Sequence, residues 1–133
     1  MHKQIIVVRK DLLTREDQRM TPGKLAAQVA HASLAPLLRA MEPNLAGLTI
    51  DFRKHRNFQK WLNGPFKKIV LYVKSEEKLL EKYKELEEAG FIVSLITDAG
   101  YTIFDKPTTT CFGVEPLLPE EIDPYTKKLQ LLQ

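Results

Sequence analysis

The chain has 133 residues, 44% of them hydrophobic and 28% charged, which suits one domain with a real core and excludes a disordered or membrane protein. Its single cysteine, Cys111, excludes an intramolecular disulfide and a cysteine metal cluster. The net charge of +3 is divided: residues 1–74 carry 14 Lys and Arg against 5 Asp and Glu, and residues 75–133 carry 6 against 12. That split reads either as a basic surface for a polyanion such as nucleic acid or as solvated faces that differ in sign.

Gln4 to Val8 has the β-branched centre of a buried strand. Lys3, Arg9 and Lys10 bracket its short apolar run, far below membrane-spanning length, so a cytoplasmic protein without membrane association is expected. Arg9 to Leu12 leaves the strand at its carboxyl end, the edge where open α/β sheets place their ligands. Leu13 to Met20 reads as an exposed loop from which Arg15 or Arg19 can reach that edge.

A helix is expected over Thr21 to Leu38, with Thr21 as cap and Pro22 at the first position; Pro36 should kink it or begin its end. Offsets of four and seven residues place Lys24, Gln28 and His31 on one face. An irregular link follows over Asn44 to Asp51. Phe52 to Leu62 returns to helical spacing, with Phe58, Trp61 and Leu62 on one side and Arg53, Lys54, Arg56 and Lys60 on the other. Its aromatics read as core anchors in preference to base-stacking platforms.

Lys68 to Val73 is a second strand, and Ser75 caps a helix ending near Gly90. Phe91 to Ile96 is a third strand, and the alternation predicts an α/β domain with a largely parallel sheet. The third strand runs into Asp98, Gly100 and Thr102, a place for a site residue and equally for a turn cap. Thr108 to Thr110 leads into a strand over Cys111 to Val114, and Glu120 to Leu132 should give a short helix and an apolar tail.

No phosphate-loop glycine pattern is present, and His2, His31 and His55 lack metal-ligand spacing, so no metal site is predicted. Cys111 reads as inert packing. What remains is Lys24, Gln28 and His31 facing the Asp98 to Thr110 region across the strand ends. A lysine near a helix N-terminus can hold a phosphate or an oxyanion, and a carboxylate with a hydroxyl can orient a water. That set suits hydrolysis by an activated water.

The run GKLAAQVAHA at Gly23 to Ala32, preceded by QIIVVRKDL, resembles the signature of the type 2 peptidyl-tRNA hydrolases of archaea and eukaryotes. The likeness continues through Trp61-Leu62, Lys67 to Leu71, Asp98 to Thr102, Thr110, Thr126 and Leu129 to Leu132. It implies a single three-layer domain over residues 1–133, with a mixed, roughly four-stranded sheet and helices on both faces. It also implies cleavage of the ester between peptide and tRNA without cofactor or metal. Carried over, the site comprises Lys24, Gln28, His31, Asp98, Thr102 and Thr110: Asp98 and Thr102 for the water, Lys24 for phosphate or oxyanion, Gln28 to position one of these. His31 is divided between proton transfer and a structural hydrogen bond. Arg9, Lys10 and Arg15, with Arg53, Lys54, Arg56 and Lys60, would hold the tRNA backbone by charge. The family commonly forms dimers, so a homodimer is an expectation. Glu115 stands where the family commonly has glycine, and Lys127-Lys128 replace its usual glycine and histidine. These departures, with longer connections before and after the first helix, motivate an alternative: a non-catalytic relative that binds tRNA or protein.

Overall fold

Ile5, Ile6, Val7 and Val8 are all buried, and a strand apolar at every position needs cover on both faces. The computed structural model describes residues 1–12, 19–100, 104 and 106–133 and shows that cover. In chain order the elements are β1 (Lys3–Arg9), α1 (Pro22–Ala40), β2 (Glu42–Asn44), β3 (Gly47–Thr49), α2 (Arg56–Leu62), β4 (Lys67–Val73), α3 (Glu76–Glu88), β5 (Val93–Asp98), β6 (Thr108–Val114), α4 (Pro119–Thr126) and β7 (Gln130–Leu131). Ile6 and Val8 pack with Leu25, Val29 and Ala32 of α1 on one face of the sheet. Ile5 and Val7 pack with Leu79 and Leu86 of α3 and Ile122 of α4 on the other.

The main sheet has five strands in the order β5-β6-β1-β4-β7. β1 and β4 are parallel, from Lys3↔Lys67 to Arg9↔Val73; β1–β6, β5–β6 and β4–β7 are antiparallel. The sheet is therefore mixed, as the family resemblance implied, and the expectation of a largely parallel sheet is corrected. Among the described strands, only the β1–α1…β4 crossover keeps two neighbours parallel, and β6 inserts on the other side of β1. The fifth strand is the two-residue β7, where the apolar tail pairs with Leu71 and Tyr72.

α1 approaches β6 very closely. A Cβ on Gly113 would lie 1.7 Å from the Ala32 carbonyl oxygen, so glycine is required for the helix backbone to rest on the strand. Gln4, fully buried, donates to the Ser33 and Val114 carbonyls and accepts from the Ser33 hydroxyl. It thereby ties β1, α1 and β6 together. The helix also passes through Pro36 and ends at Ala40. Gln28, Ala32, Pro36 and Ala40 form its buried stripe, and packing at that four-residue spacing outweighs the backbone bond that proline removes.

The expected Phe52–Leu62 helix begins only at Arg56. Before it, the Asp51 carboxylate accepts bonds from the Arg53 amide and guanidinium, which stabilise a turn instead. Phe58 and Trp61 are buried against Leu37 and Ala40, and the Trp61 indole donates to the Lys67 carbonyl. α2 therefore sits at the C-terminal end of α1, where β4 starts. The irregular link contains the β2–β3 hairpin, with Gly47 at φ 118°. No helix among the described residues is long and apolar enough to cross a membrane.

Candidate active site

The opening of α1 follows from its sequence. Thr21 Oγ1 accepts the Lys24 amide at 3.3 Å, and Pro22 occupies the first turn, so Lys24 and Gln28 stand one turn apart on one face. Opposite them β5 ends at Asp98. A register shift between Ile96 and Thr97 aligns Thr97 with Thr109 and Asp98 with Thr108. Thr110, on the next residue of β6, is buried.

These residues form one hydrogen-bonded chain. Thr110 Oγ1 donates to Gln28 Oε1 at 2.6 Å. Gln28 Nε2 donates to Asp98 Oδ2 at 2.9 Å, and Lys24 Nζ reaches the same oxygen at 2.7 Å. Asp98 Oδ1 accepts the Gly100 amide at 2.8 Å, in a turn where Gly100 has φ 85°. Asp98 thus caps the turn with one oxygen and closes the hydrogen-bonded chain with the other.

The Lys24 hydrogen bond is the main reason the Asp98 carboxyl sits below its ordinary 3.8; burial opposes the shift, and the Gly100 amide adds to it. A carboxylate so held is a weak proton acceptor and a strong fixed charge. It suits holding an ammonium in place and orienting a water more than removing a proton outright. The Lys24 side chain retains 18% of its exposure, so the ammonium can meet a substrate oxygen while paired.

The structure thus gathers Lys24, Gln28, Asp98 and Thr110. Thr102 and Arg15 lie outside the described residues. His31 is exposed and, among the described residues, joins no hydrogen bond with the Asp98 chain; it lies beside Leu95 and Thr97 along α1. Cys111 is buried; its thiol donates to the Gln28 carbonyl at 3.5 Å, and burial pushes it up to about 11, which keeps it protonated and inert.

The predicted cationic residues fall in separate places. Arg9 is committed within the fold: its guanidinium pairs with Asp11 at 2.9 Å and 3.0 Å, with Glu76 at 2.6 Å, and donates to the Thr109 carbonyl at 3.2 Å. It fastens the end of β1 to the strand that carries Thr110, a contact 100 residues away along the chain that no local pattern signals. Lys10 is exposed, with its ammonium 4.3 Å from the centre of the Tyr72 ring. Arg53 pairs with Asp51 and Lys54 with Glu42, while Arg56 and Lys60 are exposed on α2. α2 packs against Leu37 and Ala40, toward the end of α1 opposite to Lys24. Among the described residues no group of three or more His, Cys, Asp or Glu side chains could hold a metal ion.

Comparison with known proteins matches residues 2–132 to the family model described as peptidyl-tRNA hydrolase PTH2. The chain is 42% identical over its full length, and over the full length of the relative, to a peptidyl-tRNA hydrolase of Methanopyrus kandleri. It is 38% identical over 132 residues, covering 99% of this chain and 100% of the relative, to one of Methanococcus maripaludis. A peptidyl-tRNA hydrolase of Haloquadratum walsbyi is 39% identical over 129 residues, 97% of this chain and 98% of its own length. The chain belongs to the PTH2 family of peptidyl-tRNA hydrolases.

Proposed function

We propose that this chain hydrolyses the ester joining a peptide to the 3′ ribose of tRNA and so returns tRNA to translation in the cytoplasm. The observation that carries the reading is the Lys24–Asp98 pair at 2.7 Å, braced by Gln28 and Thr110, in a member of this family. A water oriented at Asp98 attacks the ester carbonyl carbon, and the Lys24 ammonium stabilises the oxyanion that develops. The bond from that carbon to the ribose O3′ then breaks. The water's oxygen stays with the peptide as a carboxyl group, and a proton ends on O3′.

The anionic part of the substrate meets cations at both ends of α1. Lys24 lies in the Asp98 cluster, Lys10 just past the end of β1 beside Tyr72, and Arg56 and Lys60 on α2. A tRNA is long enough to touch both, by phosphate contacts that need no base reading. We read the exposed Leu45 and Leu48 of the β2–β3 hairpin as the contact of a homodimer, which sedimentation would report as twice the chain mass and Leu48→Glu would convert to monomer.

The test is direct. Purified protein should release tRNA from N-acetyl-leucyl-tRNA, and Lys24→Ala or Asp98→Ala should lower kcat by about 100-fold or more while circular dichroism stays unchanged. Full activity in both variants sinks the assignment.

A further inference from the structure

β5 is the outermost strand of the sheet and, among the described residues, pairs on one side only. The Glu115 amide bonds the Ile92 carbonyl, and antiparallel pairing alternates along a strand. Ser94 and Ile96 therefore turn their backbone groups toward β6, and Val93, Leu95 and Thr97 turn theirs outward. The Val93 carbonyl is taken by the Arg39 guanidinium, which blunts the start of that edge. Leu95 and Thr97 lie further on, toward Asp98.

Beside this edge runs a groove of about 450 Å³, lined by His31, Leu34, Ala35 and Leu38 of α1 and by Leu95 and Thr97 of β5. Leu34 and Leu38 are half exposed, and none of the lining side chains is Lys, Arg, Asp or Glu. A groove without a cation does not suit a phosphate backbone. The groove is continuous with the chemistry, because β5 runs directly into Asp98 and His31 stands about one turn beyond Gln28.

We propose that this groove takes the peptide part of the substrate as an added strand parallel to β5, with its esterified carboxyl end at Asp98. The inference rests on the hydrolase reading above and names a subsite for it. Parallel is the required direction, since β5 ends at Asp98 and the substrate peptide must end there too. Strand addition uses main-chain hydrogen bonds, which every peptide sequence supplies, and leaves side-chain preference to shallow apolar walls. An enzyme that must accept peptides of any sequence is served by that form of recognition. His31 then lies along the peptide path instead of at the reacting ester.

The test compares kcat/KM for N-acetyl-leucyl-tRNA, too short to add a strand, with that for an N-acetylated pentapeptidyl-tRNA. Two main-chain bonds of ordinary net strength correspond to a preference of about tenfold for the longer substrate. Leu95→Pro removes an outward amide while sparing the β5–β6 ladder, and Ala35→Trp fills the groove from the helix side. Each should bring the ratio of the two values close to one. A wild-type ratio of one, or a ratio kept by both variants, overturns the proposal. A second readout does not depend on turnover: an N-acetylated pentapeptide joined by an amide bond to 3′-amino-3′-deoxyadenosine should slow hydrogen exchange at the Leu95 and Thr97 amides. Ester hydrolysis without such protection removes the groove and keeps the hydrolase; protection without hydrolysis of either ester keeps the groove and removes the hydrolase.

Discussion

Gln28 Nε2 and Asp98 Oδ2 lie 2.9 Å apart, and through this bond a residue that is 1% exposed holds the carboxylate proposed to orient the attacking water. Its other end is fixed by Thr110, so the amide has one orientation that satisfies both neighbours. Gln28→Glu would face the Asp98 carboxylate with a second, buried one. It should cost about 2–4 kcal/mol of stability and lower kcat sharply at neutral pH, with partial recovery as the pH falls and the new carboxyl takes a proton. Chemical denaturation and a pH series of kcat check the two parts. Thr110→Val, which removes only the donor to Gln28, should cost about 1–2 kcal/mol.

The depressed Asp98 carboxyl sets a pH window. Its folded value lies below the ordinary 3.8, chiefly because of the Lys24 hydrogen bond. The stability it contributes is present above the unfolded value and is lost as pH falls through the folded one. Activity that needs ionised Asp98 should accordingly persist through mildly acidic pH, with its acid limb below about pH 4. Carboxyl titration by NMR should show the Asp98 midpoint rising in Lys24→Met.

Salt dependence separates the cations. Lys10, Arg56 and Lys60 are exposed, and neutralising a phosphate contact lowers the slope of log K against log salt by about one. Lys60→Ala and Lys10→Ala should each do so in tRNA binding. Arg9, already paired with Asp11 and Glu76, should leave that slope unchanged. Arg9→Met should instead lower the thermal midpoint and reduce kcat, because the Thr109 carbonyl loses the guanidinium that anchors it.

Glu115 makes an opposite prediction. Its carboxylate accepts the Ile92 amide at 2.6 Å, yet burial pushes the carboxyl above its ordinary 4.5. A folded value above the unfolded one means that this group's contribution to stability falls as pH rises between the two. Glu115→Gln keeps an acceptor for Ile92 and removes the buried charge. It should be at least as stable as the wild type at pH 7 and lose the stability advantage that the wild type gains on acidification, as denaturation midpoints at pH 4 and pH 7 will show.

Much of the site was legible because it rests on local rules. Helical periodicity placed Lys24 and Gln28 on one face, the Thr21-Pro22 pair marked where the helix begins, and the strand-to-glycine transition at Asp98 to Gly100 marked the opposing half. Non-local pairing was not legible. The order β5-β6-β1-β4-β7 depends on which strand inserts beside β1, and runs of apolar residues carry no record of direction. The helix through Pro36 and the shortened α2 have the same origin: burial of Ala40 and the Asp51–Arg53 turn override what proline and periodicity favour on their own. The bonds of Arg9 to Glu76 and Thr109 were not legible either, because those partners are distant in sequence.

Gly113 fixes a tolerance. Where most helix–sheet spacings are set by interlocking side chains that can trade volume with one another, the gap between α1 and β6 is set by peptide planes in contact at Ala32. No neighbour can shrink to make room there, so even one added methyl lifts the helix. Lys24 and Gln28 would lift with it, while Asp98 and Thr110 stayed with the sheet. The alignment of the proposed catalytic group is thus gauged at a position that takes no part in the chemistry.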